Sequence, residues 1–144
     1  MDKTERRTYV NSVLDGYADP GVLYYQGKYY LYSTSPRNTN YEVYVSDNLV
    51  EWQFAGVCLE SAWGMARWYW APEVMERDGK FYMIASVNEH LGIAVADSPL
   101  GPFVPQRTYL FDRSIDGHWF VDKDGTVYLY YVSWREGHPY GIYG

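Results

Sequence analysis

The chain has 144 residues, with 12 basic and 18 acidic side chains, and a formal net charge of −6. This length allows one domain with a moderate core, and a hydrophobic content of 47% excludes a disordered chain. The acidic balance, without a basic cluster, argues against nucleic acid or an anionic membrane as partner. No apolar run approaches the roughly 20 residues that span a bilayer.

The N-terminus and the single cysteine bear on the cellular compartment. The opening MDKTERR lacks the hydrophobic segment of a signal peptide, so a cytoplasmic location is expected. A secreted or periplasmic location applies instead if a leader has been removed from this N-terminus. Cys58 alone excludes an internal disulfide and a four-cysteine zinc site, and we expect it to be a small core residue.

A pair of β-forming runs around a tight turn occurs three times along the chain. The turns are Gln-Gly at 26–27 and Asp-Gly at 78–79 and 124–125. Glycine accepts the positive φ that such hairpin turns need. The first two hairpins are each followed by a weaker one, with turns at 47–48 and 98–101, and a further strand is expected at 140–144.

Four short strands per unit, repeated at roughly 40 to 50 residues, are typical of a β-propeller blade. The predicted fold is therefore all-β, a β-propeller of about two and a half to three blades of four-stranded antiparallel sheet. Residues 1–16 form a lead-in, and residues 17–144 form a partial propeller domain with blades 1 and 2 and the start of blade 3. We expect the remaining blades in a longer protein, since an open arc exposes unpaired strands.

Acidic residues stand near the entry to the first strand of each unit. Asp19 precedes Pro20, Glu73 follows Pro72, and Asp116 precedes a Gly-His pair. The first strands of successive blades line the central channel, so these three carboxyl groups are expected at one mouth. There, like-charge repulsion separates their pKa values into an acid and a base.

Each of these residues also has a purely structural interpretation. An Asp before Pro or Gly commonly forms a turn with its own backbone, which applies to Asp19 and Asp116 taken singly. Asp122 and Asp124 are interpreted as turn residues only. Repetition at matched positions favours the functional interpretation for the first pair.

Aromatic residues are abundant, at 19% of the chain, and four are concentrated just before the second unit: Trp63, Trp68, Tyr69 and Trp70. Indole faces stack on the apolar faces of sugars while carboxylates bind hydroxyls, so this neighbourhood suits a carbohydrate. Packing between blades is the alternative, expected for two of the four. Trp52 is also expected in the core.

The histidines have no metal-ligand spacing, and no metal site is predicted. His90 and His138 are expected to be solvated or hydrogen-bonded, whereas His118 is close enough to Asp116 to line the channel. Phosphate-loop, dinucleotide-binding and nucleophile-elbow motifs are absent, which argues against nucleotide and nucleophilic chemistry.

Five motifs in chain order resemble glycoside hydrolase family 43. The motifs are ADPGVLYYQGKYYLYST, SDNLVEW, WAPEVMERDGKFYMIAS, GIAVADSPLGPF and SIDGHWFVDKDGTVYLYYV, and the resemblance runs from about residue 17 to 144. The resemblance implies a five-bladed β-propeller that acts on oligo- or polysaccharides. It implies hydrolysis of α-L-arabinosides, β-D-xylosides or galactosides with inversion, as by arabinofuranosidases and xylosidases.

The resemblance also implies roles for particular residues. Asp19 matches the general base, and Asp116 matches the aspartate that tunes the pKa of the acid and positions it. Trp70 of the WAP motif borders the sugar, and Glu73 and His118 are expected to bind substrate as well.

The family's general acid is a glutamate beside Gly-Pro in a later blade, and nothing here matches it. Glu136 precedes a glycine but is not assigned this role. The chain alone is therefore expected to be inactive or nearly so. A calcium ion occupies the channel of some relatives, but no motif here demands it, and no cofactor is predicted. A carbohydrate-binding propeller module without catalysis is the alternative function, and a scaffold for protein contacts is a third.

Overall fold

The computed structural model describes residues 11–137 and 139–144. The first ten residues of the expected lead-in and His138 lie outside that range. The prediction of an all-β fold is confirmed, because the described residues form twelve strands in three antiparallel sheets. The described part of the chain contains no helix with the length and apolar character needed to cross a bilayer.

The first sheet contains the two hairpins predicted for the first unit. It consists of β1 (Ala18–Tyr25), β2 (Lys28–Thr34), β3 (Asn40–Ser46) and β4 (Gln53–Glu60), paired in that order. The turns between them lie where Gln-Gly and Asp-Asn predicted them. Alternate residues of β3 are buried at Tyr41 and Val43, whereas β2 has four consecutive buried residues, so both faces of β2 are covered there.

The second sheet repeats this order and divides its last strand in two. Its strands are β5 (Tyr69–Arg77), β6 (Lys80–Val87), β7 (His90–Ala96), β8 (Val104–Pro105) and β9 (Phe111–Asp112). Both β8 and β9 pair with β7, at its two ends. A short 3₁₀ turn at Ala62–Gly64 precedes this sheet.

The third sheet has three strands, β10 (Ser114–Val121), β11 (Val127–Ser133) and β12 (Gly141–Tyr143). It is less enclosed than the second sheet, and Tyr128, Tyr130 and Ile142 are exposed. The strand expected at 140–144 is thus present and pairs with β11.

The main core lies between the first two sheets and is rich in tyrosine. Tyr32 and Tyr41 of the first sheet and Phe81 and Met83 of the second are fully or almost fully buried. Cys58 joins this core as predicted, and its burial raises the pKa of the thiol to about 12, so it stays protonated.

Packing of successive sheets brings β1, β5 and β10 next to one another, in the arrangement of propeller blades around a channel. The prediction for Trp52 was wrong. Its indole lies half-buried at the turn between β3 and β4, where Nε1 donates to the carbonyl of Leu49 at 3.2 Å.

Candidate active site

The innermost strand of each sheet contains a β-bulge at the same place. In β1, β5 and β10 the pairing with the neighbouring strand skips two residues, and the skipped pairs are Asp19-Pro20, Ala71-Pro72 and Asp116-Gly117. A bulge bends its strand and re-aims side chains, and bulges are frequent beside active sites. The three equivalent bulges define one end of the channel.

The first residue of each bulge has left-handed backbone geometry. Asp19, Ala71 and Asp116 have φ values of 51°, 39° and 56°. Non-glycine residues seldom adopt this region, and aspartate tolerates it better than alanine. This conformation turns the Asp19 and Asp116 carboxyl groups out of the regular alternation of their strands.

This register corrects the sequence prediction that Glu73 is the equivalent of the two aspartates. Ala71 occupies the equivalent position in the second sheet, and Glu73 follows the bulge, as Gly21 and His118 do in their own sheets. Pro72 and Pro20 are the second residues of their bulges. The residue before Pro20 is Asp19, but the residue before Pro72 is Ala71, so the acid beside Pro72 is Glu73, on its other side.

Two glycines allow the inner strands to approach closely. A Cβ atom on Gly21 would lie 2.7 Å from the carbonyl oxygen of Pro72, and one on Gly117 would lie 2.4 Å from Cγ1 of Ile84. Real Cβ atoms essentially never come within 3.0 Å of another heavy atom, so a side chain at either position would displace the backbone of Pro72 or the side chain of Ile84 in the neighbouring sheet. Gly21 directly follows the first bulge and Gly117 is part of the third, and their small size keeps the three bulges around one space.

That space is an open cavity of about 460 Å³, a volume in the range of small-molecule sites. It is lined by residues of all three inner strands: Asp19, Pro20, Gly21, Val22, Ala71, Pro72, Glu73, Asp116, Gly117 and His118. The fold thus brings together four of the five site residues predicted from sequence. Trp70 is not among the lining residues.

Asp19 is held by a hydroxyl group of its own sheet. Oγ1 of Thr34 donates to Oδ2 of Asp19 at 2.7 Å. Oγ1 of Thr34 also accepts a hydrogen bond from the backbone N–H of Ala71 in the second sheet, at 2.9 Å. Thr34 therefore connects the carboxyl group of the first bulge to the backbone of the second.

Asp116 has the matching backbone contact and a perturbed carboxyl group. Its N–H donates to Oγ of buried Ser86 at 3.0 Å, as the N–H of Ala71 donates to Thr34. Partial shielding from water by the cavity wall raises the pKa of Asp116, and the negative charge of Asp19 raises it further. The two carboxyl groups therefore interact electrostatically across the cavity.

Glu73 connects the second and third sheets at the cavity. Its Oε2 lies 2.9 Å from Nδ1 of His118 and accepts the backbone N–H of Trp119 at 3.3 Å. An ionised carboxylate can only accept, so Nδ1 of His118 carries the proton of this contact. Nε2 is then left for other partners at this end of the channel.

The aromatic cluster divides into two pairs with different environments. Tyr69 is fully buried and Trp63 packs against Gly92, where a Cβ would lie 2.3 Å from the indole. Trp68 and Trp70 stack on each other with ring centroids 5.8 Å apart, and Trp68 remains exposed. The second pair gives an aromatic surface directly before the Ala71 bulge.

The remaining candidates lie away from the cavity. His90 contacts the carbonyl oxygen of Asn88 at 2.6 Å and the ring of Tyr109, and Glu136 lies in an exposed turn. Within 11–137 and 139–144, no three His, Cys, Asp or Glu side chains are grouped so that they could hold a metal ion.

Sequence reasoning missed Thr34 and Ser86, the two hydroxyl residues that hold the bulges. They occupy matched positions near the ends of β2 and β6, in LYST and IASV. A hydroxyl repeated at the same distance from two hairpin turns was the available signal.

The family model described as Glycosyl hydrolases family 43 matches residues 9–144. Among curated proteins, the chain is 32% identical to a beta-xylosidase of Xylanibacter ruminicola, over 81% of this chain and 44% of that protein. It is also 32% identical to a xylosidase/arabinosidase of Bacteroides ovatus, over 90% of this chain and 46% of that protein. The chain thus spans about half the length of these curated relatives.

Solved structures of the same family are also similar to this chain. A thermostable family-43 glycoside hydrolase superimposes with a TM-score of 0.76 and 45% identity, over 88% of this chain and 45% of that one. A family-43 beta-xylosidase/alpha-arabinofuranosidase from a compost metagenome, solved with xylotriose, has a TM-score of 0.73 and 29% identity, over 89% of this chain and 46% of that one.

Proposed function

The chain belongs to glycosyl hydrolase family 43, and from this premise we propose that it supplies part of the active site of an inverting glycosidase. In this proposal Asp19 is the general base and Asp116 modulates the protonation of the site. The observation that carries the proposal is the convergence of these two carboxyl groups, from the first and third sheets, on one cavity where their charges interact.

The proposed reaction is a single displacement at the anomeric carbon. Asp19 takes a proton from a water molecule as the water oxygen bonds to that carbon, and the bond to the leaving oxygen breaks on the opposite face. The leaving oxygen takes its proton from a general acid. Inversion requires the base and the acid roughly 6.5 to 9.5 Å apart, so that the water fits between base and sugar.

We propose that the general acid comes from a part of the protein outside these 144 residues. Glu136 does not line the cavity, and Glu73 is engaged with His118 and Trp119. A complete site would then place the acid across the channel mouth from Asp19. Losing a general acid costs about 10²- to 10⁴-fold in rate, so the chain alone would have little or no activity.

The proposed substrates are xylose- or arabinose-containing oligosaccharides, with galactosides also to be tested. The names of the curated relatives and the xylotriose bound in similar structures support this class. Trp70, Glu73 and His118 are the proposed sugar contacts. The Trp68–Trp70 stack offers an apolar ring face, and Glu73 and His118 offer hydrogen-bonding groups at the cavity.

The test is hydrolysis of nitrophenyl xylosides, arabinofuranosides and galactosides by the longest gene product that contains this chain. Asp19→Asn should reduce kcat by about 10²- to 10⁴-fold. The matched control is Asp47→Asn, because Asp47 is an exposed turn residue that pairs with Lys28 away from the cavity. NMR of the first product should show the inverted anomer.

Other outcomes would decide against the proposal. Full activity of Asp19→Asn would show that Asp19 is not the general base. Sugar binding by the folded wild-type protein without hydrolysis of any substrate would favour the alternative, a carbohydrate-binding module. Activity of the 144-residue chain by itself would show that it contains its own general acid.

A further inference from the structure

The hydroxyl group of Thr34 has its hydrogen-bonding directions fixed by its two neighbours. The backbone N–H of Ala71 can only donate, and it points at Oγ1 of Thr34 from 2.9 Å. A hydroxyl has one proton to give, and the carboxyl oxygen Oδ2 of Asp19 lies 2.7 Å away. The proton of Thr34 is therefore directed to Asp19, and rotation away from it would meet the N–H of Ala71.

The second sheet provides a comparison inside the same chain. Ser86 occupies the position that Thr34 occupies in the first sheet, and it accepts the N–H of Asp116 at 3.0 Å. The first bulge residue of its own sheet is Ala71, which has no carboxyl group. Holding the next bulge is therefore the shared role of the two hydroxyls, and the bond to a carboxylate is specific to Thr34.

We propose that Thr34 is a positioning residue for Asp19, an inference that rests on the proposed role of Asp19 as the general base. By occupying Oδ2, Thr34 fixes the rotation of the carboxylate, which lines the cavity, and leaves Oδ1 to receive the proton of the water. Asp19 is exposed, so little packing would hold its side chain in one rotamer without this bond.

The effect is expected in the chemical step and not in substrate binding. In the longest gene product, Thr34→Val keeps the shape of the side chain and removes the hydroxyl. Its kcat should fall about tenfold, the value of one hydrogen bond to a charged group, while KM changes less than twofold. Thr34→Ser keeps the hydroxyl and should restore most of kcat.

A matched control is available in another Thr–Asp contact of the chain. Thr126 hydrogen-bonds to Asp124 in the β10–β11 turn, outside the cavity lining. Thr126→Val should leave kcat and KM unchanged. Thermal midpoints of all variants separate a general loss of stability from an effect on Asp19.

A double-mutant cycle separates positioning of Asp19 from other roles of Thr34. If Thr34 acts through Asp19, Thr34→Val should cause no further loss in an Asp19→Asn background. A full additional loss there, or failure of Thr34→Ser to restore kcat, would overturn the inference. Wild-type activity of Asp19→Asn would instead overturn the proposed function, so the two failures are distinguishable.

Crystal structures provide a second readout that does not depend on residual activity. In Thr34→Val, or in Thr34→Ala if the first variant folds poorly, the Asp19 carboxylate should occupy a different or mixed rotamer. An unchanged Asp19 rotamer in either variant would contradict the inference.

Discussion

Asp19 raises the pKa of Asp116 across the cavity, although the two residues belong to the first and third sheets. Neither side chain is placed by its local sequence alone. Each lies in a bulge, and the close approach of the inner strands brings the bulges together. The electrostatic coupling of the two carboxyl groups is therefore a consequence of how the sheets pack.

This coupling predicts the effect of removing one charge on the other group. In Asp19→Asn the pKa of Asp116 should fall, because repulsion by the Asp19 carboxylate is lost. It should stay above the ordinary aspartate value, since shielding from water is the larger cause and remains. A ¹³C NMR titration of the Asp116 carboxyl group measures this change. Asp47→Asn should not alter the titration, and an unchanged pKa in Asp19→Asn would show that the two groups are not coupled.

The raised pKa of Asp116 also predicts a pH dependence of stability. The folded protein retains this proton at pH values where the unfolded chain has released it. The free energy of unfolding therefore decreases as the pH rises from about 3.9, the ordinary value, through the raised pKa.

The corresponding variant is Asp116→Asn, which should be more stable than the wild type at pH 7. The gain should disappear below the ordinary aspartate pKa, where both proteins are neutral at this position. Urea unfolding at pH 7 and pH 3 measures the difference. A variant less stable at pH 7 would mean that the Asp116 carboxylate has a stabilising partner. If Asp116→Asn is both more stable and less active, the Asp116 carboxyl group contributes to activity and lowers the stability of the fold.

Much of the fold was predictable because hairpins are local. Each Asp-Gly or Gln-Gly turn lies between two runs of β-forming residues, and all three turns connect two paired antiparallel strands. Placement of Asp19 and Asp116 at one cavity also followed, since both stand beside the first strand of a repeating unit. An aspartate at matched positions of two units indicated a functional role that neither aspartate indicated alone.

The rest depended on register and on contacts between sheets, which a single sequence does not reveal. Glu73 was matched with the aspartates because it is the acidic residue beside Pro72, but the register of the bulge makes Ala71 their equivalent. The roles of Thr34 and Ser86 arise from N–H groups of the next sheet. Trp52 was expected in the core, but its indole N–H donates to the carbonyl of Leu49 in its own turn.

Close approach at Gly21 predicts a loss of stability for Gly21→Ala. The new Cβ would lie 2.7 Å from the Pro72 carbonyl oxygen, a backbone atom that cannot move without shifting β5. The free energy of unfolding should fall by about 1 to 3 kcal/mol, the usual range for overpacking. Gly141→Ala is the control, because the nearest atom to its Cβ lies 3.9 Å away. Equal stability of the two variants in urea unfolding would contradict close packing of the inner strands.

Contacts of Glu73 with β10 predict a graded effect on stability. Glu73→Ala removes the acceptor of both His118 Nδ1 and the Trp119 N–H, and should lower the free energy of unfolding by about 1 kcal/mol. The loss is small because His118 is largely exposed. Glu73→Gln keeps a carbonyl oxygen as acceptor and should lose less. Denaturant unfolding of the two variants, with His118→Ala, tests this, and an equal loss in both would exclude the hydrogen bonds as its cause.

Stacking of Trp68 on Trp70 predicts how the proposed sugar site responds to loss of its aromatic surface. Trp70→Ala should raise KM for xylo-oligosaccharides about tenfold in the longest gene product, because one aromatic contact contributes about 0.5 to 1.5 kcal/mol. Trp68→Ala should have a smaller effect, through loss of support for Trp70. Since this contact binds substrate and transition state alike, kcat should change little.

Trp52→Ala removes an indole from a turn outside the cavity and should leave KM unchanged. Steady-state kinetics on the three variants measure these effects, and an unchanged KM in Trp70→Ala would remove Trp70 from the sugar site.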